Sequence, residues 1–397
     1  MASAPPRLRL IHSSRQTAPD EMEGRHGHRP PGISAGKLML VVSIDNYHQL
    51  ARVYGDAAAR IVRGELVERS RSLCGPKGMA NASGSRLLLV FDGAQVDATS
   101  DDDGPRDLLL LERVCLALGG SAVISLGLPV FAVISAEIVR KPNGAFNIER
   151  YGRGNRLEFF RGEDRRWCDE YRADMARASR IISMMEEGCI ALDYEPVHDV
   201  SGGDVIYLEA LPRIVQDADF DDALAVGMIA LERLGLIRLW TQWLVKQIVG
   251  KLGAEPQTRI GCNIPSQSAV IDGWWGSIFA TLRKQPDLAS RLFIEITETP
   301  WLSDLDIAAS FIGELKACRC AIVLAGVGET HSTLHAMVRS SPDVIKIAGT
   351  SSSTAGTPSA REFLDHLITF ARACSTIVVV EGMETRATPA DQKCRVD

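Results

Sequence analysis

Two regions of the chain show the alternation of apolar runs and amphipathic stretches that is typical of α/β domains. In the first region, apolar runs predict buried strands, and stretches with helical spacing predict helices between them. The strands are predicted at 37–45, 86–91 and 130–139, and the helices at 47–73 and 106–118. Residues 1–36 show no such pattern and are rich in Arg, Pro, Ser and Gly, so we expect a disordered tail there.

The second region begins with a charged, amphipathic stretch at 161–187, which predicts a connecting helix between two domains. Strands and helices then alternate, with long helices predicted at 221–235 and 238–252. The strand candidates are 190–197, 204–209, 258–264, 291–296, 320–325, 343–348 and 376–381. This alternation predicts a parallel α/β sheet or a barrel, and residues 185–397 are somewhat fewer than the roughly 250 typical of a (β/α)8 barrel.

Composition narrows the class of protein without indicating a function. Apolar residues make up 46% of the chain and charged residues 24%, which excludes a fully disordered chain. The formal net charge of −6 argues against a nucleic-acid polymer as partner, because neutralising phosphates needs a basic surface. The 9 cysteines are scattered and form no CxxC pair, which is typical of reduced thiols in a cytoplasmic protein.

The sequence predicts neither a secretory signal nor a membrane span. Residues 1–36 contain no apolar core of the kind that a signal peptide needs. The uncharged segment 114–136 is long enough to cross a bilayer. However, Gly119, Gly120 and Pro129 predict a helix end, a turn and then a buried strand within it.

Polar side chains stand at or near the ends of five predicted strands, where the active sites of (β/α)8 barrels are found. They are Glu209, Asn263, Glu295, Lys346 and Glu381. Carboxylate and amide oxygens converging from neighbouring strands suit a hard cation such as Mg²⁺, and a lysine there could stabilise developing negative charge. Each residue taken alone is equally well explained as a surface carboxylate or a strand-end cap. Arg213 suits a phosphate or carboxylate, although a lone arginine is more often a salt-bridge partner.

The segment Leu208-Glu-Ala-Leu-Pro-Arg213 resembles the signature of the EAL domain family, the cyclic di-GMP phosphodiesterases. The resemblance covers roughly 185–385. Its further motifs are Tyr194-Glu-Pro-Val197, Glu232-Arg-Leu-Gly-Leu-Ile237, Cys262-Asn-Ile-Pro-Ser266, Glu295-Ile-Thr-Glu298 and Val380-Glu-Gly-Met-Glu-Thr385. It implies an EAL-type (β/α)8, TIM-like barrel. Because the chain stops before the family's last strand and helix, we expect this barrel to be one strand short.

The first region resembles a GGDEF domain more weakly, through Val42-Ser-Ile-Asp-Asn-Tyr47, Phe131-Ala-Val-Ile-Ser135 and Gly152-Arg-Gly-Asn-Arg156. The signature hairpin is expected at Ser83-Gly-Ser-Arg-Leu87, where the acidic pair is missing, and Ser43 replaces a metal-binding aspartate. The resemblance therefore implies no diguanylate cyclase activity. The expected organisation is a tail at 1–36, a degenerate GGDEF-like domain at 37–160, a connecting helix at 161–184 and an EAL-like domain at 185–397.

The EAL resemblance also implies roles for individual residues. It implies metal-assisted hydrolysis of cyclic di-GMP to linear pGpG, with Mg²⁺ or Mn²⁺ as cofactor. The implied metal ligands are Glu209, Asn263 and Glu295, the implied catalytic residues are Lys346 and Glu381, and the implied substrate-binding residues are Glu195, Glu209, Leu211 and Arg213.

The sequence departs from the family pattern where the metals would bind. The family's paired aspartates align with Ala325 and Gly326, and another aspartate is replaced by Ala348. We therefore expect a single weakly held metal or none, and a cyclic di-GMP signalling protein with impaired catalysis that acts as a regulatory or receptor module with a protein partner. The alternatives are an active metal-dependent phosphodiesterase and a protein-interaction scaffold without a nucleotide site. The sequence leaves a homodimer open.

Overall fold

A computed structural model describes residues 38–92, 104–139, 148, 164–199, 205–215, 221–297, 305–328, 341–348, 358–375 and 377–381. The described residues form two compact units. The first contains the chain up to residue 192 together with 212–247 and 270–285, and the second contains 193–211, 248–269 and the residues from 286 onward. The predicted domain boundaries follow the sequence motifs and remain predictions.

A four-stranded antiparallel sheet with strand order β2-β3-β1-β6 lies in the first unit. Its strands are β1 (Met39–Ile44), β2 (Met79–Ser83), β3 (Arg86–Val90) and β6 (Ile134–Val139). A separate hairpin pairs β4 (Val123–Ser125) with β5 (Leu128–Val130). The strands predicted at 37–45 and 86–91 are confirmed. The strand predicted at 130–139 is instead the end of β5 followed by β6.

Three helices accompany this sheet, namely α1 (Tyr47–Tyr54), α2 (Asp56–Cys74) and α3 (Gly104–Gly119). The prediction of one helix over 47–73 was wrong, because the chain breaks at Gly55 into α1 and α2. Gly55 has a φ of 92°, which lies outside the helical region and is open to glycine without a steric penalty.

The helix predicted at 161–187 is confirmed as α4 (Arg165–Glu186), and its role as a connection between two domains remains a prediction. The side chain of Asp164 caps its first turn by accepting a hydrogen bond of 2.8 Å from the backbone N–H of Trp167. Helix α4 packs against α5 (Asp221–Leu234) at a point where the backbone of Gly227 approaches Ile181. A Cβ on Gly227 would lie 2.4 Å from Ile181 Cγ1, so glycine is needed for this close packing.

Helix α3 also packs against a short 3-10 turn, Gly273–Trp275, and against α7 (Gly276–Lys284), which follows it directly. Both glycines of the Gly-Trp-Trp-Gly segment face the α3 backbone. A Cβ on Gly273 would lie 2.8 Å from Leu111 C, and one on Gly276 would lie 2.4 Å from Leu108 O. This contact therefore depends on two positions that have no side chain.

A buried carboxylate, Glu112 of α3, lies in the same contact region. Its Oε1 accepts hydrogen bonds of 2.7 Å from Gln242 Nε2, Lys246 Nζ and Ser277 Oγ, and its Oε2 accepts from the backbone N–H of Ser277. Gln242 and Lys246 belong to α6 (Ile237–Ala254). Both oxygens of Glu112, which is only 5% exposed, are therefore hydrogen-bonded.

A seven-stranded sheet with strand order β13-β12-β11-β10-β9-β8-β7 carries the second half of the fold. Its strands are β7 (Ile190–His198), β8 (Val205–Ile214), β9 (Ile260–Ile264), β10 (Leu292–Thr297), β11 (Ala321–Val327), β12 (Val344–Ile347) and β13 (Ile377–Val380). Within the described residues, the remaining helices are α8 (Pro286–Ala289), α9 (Leu305–Ala317) and α10 (Pro358–Cys374), with a 3-10 turn at Ser266–Ser268. From β8 to β13 each neighbouring pair is parallel.

All seven strands predicted in this half are confirmed, and the curled sheet is a half-barrel of the TIM-like type. A buried apolar cluster fills it, formed by Val197, Tyr207, Phe293, Val323, Val344 and Val379. Because side chains alternate along a strand, residues two positions later on each strand point to the same face. Four side chains therefore lie on the same face of the sheet as the core residues two positions before them. They are Glu209, Glu295, Lys346 and Glu381, which follow Tyr207, Phe293, Val344 and Val379 respectively.

Within the described ranges, no helix is both long enough and apolar enough to cross a membrane. Segment 114–136 contains the end of α3, the β4–β5 hairpin and the start of β6, as its glycines and proline predict. The cysteines of the described part are free thiols.

Candidate functional site

Four of the five predicted strand-end residues come together around one ammonium group. Lys346 of β12 donates hydrogen bonds to Glu209 Oε2 of β8 at 2.7 Å and to Glu295 Oε2 of β10 at 2.8 Å. Its Nζ also lies 3.5 Å from Glu381 Oε1, directly after β13. Three carboxylates from three parts of the sheet therefore share one lysine.

Burial differs across this cluster. The side chains of Glu295 and Lys346 are 0% and 5% exposed, whereas those of Glu209 and Glu381 are 17% and 38% exposed. Burial raises the pKa of Glu295 to about 7, because the ammonium of Lys346 only partly offsets the loss of water and the charge of Glu209. Burial alone would lower the pKa of Lys346, but the charges of Glu295 and Glu209 outweigh it and the pKa is raised. Lys346 is accordingly a cation at neutral pH.

An aromatic pair forms the floor of the cluster, and the sequence reasoning did not find it. Tyr207 stacks on Phe293 with ring centroids 4.5 Å apart. A Cβ on Gly261 of β9 would lie 2.3 Å from Tyr207 Cε2 and 2.6 Å from Glu295 Oε1, so the ring and the carboxylate share the space that glycine leaves. The only sequence signal was a glycine inside a strand, which often marks such a close approach.

Two polar atoms beside this aromatic pair make less than a full set of hydrogen bonds. The hydroxyl of Tyr207 and Oε1 of Glu295 are buried, and neither has a partner at full hydrogen-bond geometry. Tyr207 is nevertheless close enough to interact with the carboxylate and to lower its pKa. Burial and then the charge of Glu295 raise the pKa of the Tyr207 phenol, which therefore stays protonated at neutral pH.

Comparison with known proteins identifies the family. Residues 178–390, more than half of the chain, match the family model described as EAL domain. The chain belongs to the EAL domain family. The Lys346 cluster lies within the matched residues.

The relatives and solved structures are similar at low identity. An uncharacterized protein of Mycobacterium tuberculosis strain H37Rv is 23% identical over 94% of this chain, which spans 64% of that relative. An uncharacterized protein of Azorhizobium caulinodans is 23% identical over 67% of this chain, which spans 38% of its length. The chain therefore spans less than two thirds of the length of these curated relatives.

Among solved structures, the S helix-GGDEF-EAL part of Vibrio cholerae LapD without ligand has a TM-score of 0.48 and 12% identity, covering 88% of this chain and 84% of that one. The structure named PaMucR phosphodiesterase, a complex with c-di-GMP, has a TM-score of 0.45 and 21% identity, covering 55% of this chain and 88% of that one.

The other predicted residues of the EAL site lie on the neighbouring strands β7, β8 and β9. Asn263 of β9 is in register with Glu295 on the neighbouring strand, but its side chain is exposed. Leu211 and Arg213 follow Glu209 along β8, half-buried and exposed respectively, and Glu195 of β7 is exposed. The roles of these four residues remain predictions.

Two residues near the end of β11 offer no side-chain ligand to a metal ion. They are Ala325 and Gly326, to which the sequence resemblance assigns the positions of the family's paired aspartates. Ala348 is also buried and apolar. In the ranges that the structure describes, no group of three or more His, Cys, Asp or Glu residues is placed to hold a metal ion.

Proposed function

We propose that this EAL protein is a cyclic di-GMP signalling module that binds the dinucleotide or a protein partner without hydrolysing it at an enzymatic rate. One observation carries the proposal. Glu209 and Glu295, the residues that the family resemblance assigns to metal binding, are hydrogen-bonded to Lys346 at 2.7 and 2.8 Å. The further ligands that a metal pair needs are replaced by Ala325 and Gly326.

The size of the missing contribution supports impaired hydrolysis. A bound metal lowers the pKa of water from about 15.7 to about 7. At about 1.4 kcal/mol per pKa unit, this amounts to roughly 10 kcal/mol of nucleophile activation. Lys346 is cationic and cannot accept a proton from water. The carboxylates around it form ion pairs with its ammonium group. Without the metal pair, the remaining side chains supply little of that activation.

The proposal includes a regulatory role for the N-terminal part of the chain. Its hairpin β2–β3 turns at Gly84 and Ser85 and carries no acidic pair, and Ser43 stands in β1 where a metal-binding aspartate is expected. We place no cyclase activity there and assign the region a regulatory role in a cytoplasmic protein. A protein partner and a homodimer both agree with this role.

A turnover assay tests the loss of catalysis. The purified chain would be incubated with cyclic di-GMP and Mg²⁺ or Mn²⁺, and linear pGpG would be measured by chromatography beside an active EAL phosphodiesterase. We expect no turnover above the background without protein. The matched variant carries Ala325→Asp and Gly326→Asp together. Gly326 has a φ of 73°, which aspartate tolerates better than most residues, so we expect this variant to gain metal-dependent turnover.

Calorimetry tests the binding role separately. Cyclic di-GMP would be titrated into the chain in buffer with EDTA and again with Mg²⁺, and binding is expected in both. Arg213→Gln should weaken binding if this arginine holds a phosphate. An absence of heat at micromolar protein in both buffers would leave only the partner-binding scaffold.

An active phosphodiesterase is the second candidate, and a specific observation favours it. Lys346 and Glu381, the two residues with implied catalytic roles, meet Glu209 and Glu295 in one cluster. Wild-type turnover between about 1 and 1000 per second, the range of ordinary enzymes, would establish this candidate and overturn the proposal.

A further inference from the structure

The β4–β5 hairpin of the first unit exposes apolar side chains where the chain turns. Ile124 and Leu126 are each 66% exposed, and Leu128 is 51% exposed. We call these three residues the apolar tip. Residues 114–136, which contain the hairpin, include no charged residue. Single exposed apolar side chains are common, but three within five residues form a patch of the kind that marks an interaction site.

The backbone of the turn favours an asparagine where the chain has a leucine. Ser125 pairs with Leu128, so Leu126 and Gly127 form a two-residue turn, and their φ angles are 50° and 82°. Two positive φ angles are typical of a type I′ turn, whose first position prefers Asn because a left-handed backbone strains most other side chains. Leu126 combines this strained backbone with an apolar side chain in water, which indicates a role in binding.

The base of the hairpin is fixed to the rest of the unit. Val123 and Val130 on its inner face are 3% and 1% exposed. Arg69 of α2 donates hydrogen bonds to the carbonyl oxygens of Ser121 and Ala122 at 3.1 and 2.9 Å. The apolar tip therefore lies on a preorganised support, which reduces the conformational entropy lost on binding.

We propose that the apolar tip inserts shallowly into an uncharged lipid surface and attaches the chain there. Three aliphatic side chains exposed to this extent offer on the order of 300 Å². A stable protein–protein interface buries roughly 800 Å² on each partner, so the apolar tip alone is too small to hold a second copy of the chain. A hairpin turn is also convex, and fluid lipid adapts to such a shape, whereas a protein partner needs a matching groove.

The hairpin backbone limits how deeply the apolar tip enters the lipid. Within the described residues, β4 and β5 pair only with each other, so backbone groups at their outer edges have no ladder partner. Such groups are costly to bury in hydrocarbon, which restricts insertion to side chains at the boundary between headgroups and acyl chains. Because segment 114–136 has no charge, the attachment should need neither anionic lipid nor low salt.

Flotation of the purified chain with phosphatidylcholine vesicles tests the inference. We expect wild type to float equally at low and high salt, and phosphatidylglycerol should not strengthen binding. Leu126→Asn should lower the partition coefficient by at least about tenfold, because an apolar side chain that would leave water is removed. Since asparagine suits this turn, the Tm of the variant should equal or exceed that of wild type, which excludes misfolding as the cause.

Ile124→Thr is a second variant that keeps a β-branched residue in β4, and it should also weaken flotation. Ile229→Thr is the matched control, because Ile229 is 48% exposed on α5 outside the hairpin, and flotation should not change. Equal flotation of wild type and Leu126→Asn, or no flotation of either, would overturn the inference. A wild-type dimer that does not float and that Leu126→Asn converts to a monomer would also overturn it, because the apolar tip would then bind a second copy. The assay contains no cyclic di-GMP, so its outcome is independent of the proposed dinucleotide binding.

Discussion

Glu112 of the first compact unit and Glu295 of the second are both buried carboxylates, yet their surroundings differ. Glu112 accepts from Gln242, Lys246 and twice from Ser277, so both of its oxygens are hydrogen-bonded. Glu295 gives one oxygen to Lys346 and leaves the other without a partner at full hydrogen-bond geometry. Burial raises the pKa of Glu295 to about 7.

The difference separates a structural role from a functional one. A buried charge whose lone pairs are all used is fixed in one geometry and adds specificity to the packing around it. A buried charge with an unused oxygen and a perturbed pKa is the kind of group found at functional sites. By this criterion Glu112 has a structural role in helix packing, whereas Glu295 has a role in the candidate functional site.

The largest expected effect is on stability at Glu112. Glu112→Ala would leave the Lys246 ammonium and the Gln242 and Ser277 donors without their shared acceptor. Lys246 is 41% exposed and can turn to water, whereas the Gln242 and Ser277 donors lose their acceptor, and a buried polar group left without a partner costs about 1–3 kcal/mol. We expect a loss of this size in the free energy of unfolding, measured with guanidinium chloride, and a smaller loss for Glu112→Gln.

Glu65→Gln is the control for this substitution. Glu65 pairs with Arg69 at 3.0 Å on an exposed helix face, and such pairs contribute at most about 1 kcal/mol. If Glu112→Ala lowered the free energy of unfolding as little as Glu65→Gln does, a full set of hydrogen-bond donors would no longer indicate that a buried carboxylate has a structural role.

Asp45 sharpens the comparison, because it lies in the same unit as Glu112 but has few donors. Its Oδ1 accepts a hydrogen bond of 3.0 Å from Ser135 Oγ. Burial raises its pKa to about 7, with Ser135 and the charge of Arg238 acting in the opposite direction. A raised pKa thus accompanies few hydrogen-bond donors at both Asp45 and Glu295, which lie in different units.

The sign of the pH effect follows from this shift. Because the folded chain holds the Asp45 proton more tightly than the unfolded chain, the contribution is full below about pH 4 and is lost as the pH rises through about 7. Asp45→Asn does not titrate. The free energy of unfolding of wild type relative to this variant should fall by up to about 1.4 kcal/mol per pH unit between pH 5 and 7. Parallel pH profiles of the two proteins would contradict the shift.

The sequence predicted well that strand-end side chains converge, and it predicted the surroundings of these side chains poorly. Glu209, Glu295, Lys346 and Glu381 were found because alternation along parallel strands fixes both their face and their edge. Tyr207 was missed because its contact with Glu295 runs across Gly261 of a third strand, which no local pattern encodes.

The same limit explains the other omissions in the first unit. Glu112 falls in the helical register of the buried residues Leu108 and Cys115, a signal that spacing could have revealed. Its donors, however, come from distant helices and are set by tertiary packing. The break at Gly55 was missed because the apolar spacing continues through it.

A medium effect is expected at the floor of the EAL site. Tyr207→Phe removes the hydroxyl beside Glu295 Oε1 and keeps the stacking on Phe293. A double-mutant cycle with Glu295→Gln should give a coupling energy of about 0.5–2 kcal/mol in unfolding experiments. Strictly additive losses in the free energy of unfolding would show that Tyr207 contributes packing alone. The Tyr207 hydroxyl would then not stabilise Glu295 Oε1.

The smallest effect is expected at Glu381, which lies in the same cluster as Glu295 but is 38% exposed and 3.5 Å from the ammonium. Water screens this contact, so Glu381→Gln should change the free energy of unfolding by less than about 1 kcal/mol. Glu209→Gln, which weakens a 2.7 Å hydrogen bond at a less exposed carboxylate, should cost more and serves as the internal comparison. If Glu381→Gln destabilised the chain as much as Glu209→Gln, the exposed fraction of a carboxylate would not determine how much its contact with Lys346 contributes to stability. The three carboxylates would then interact with the ammonium equally.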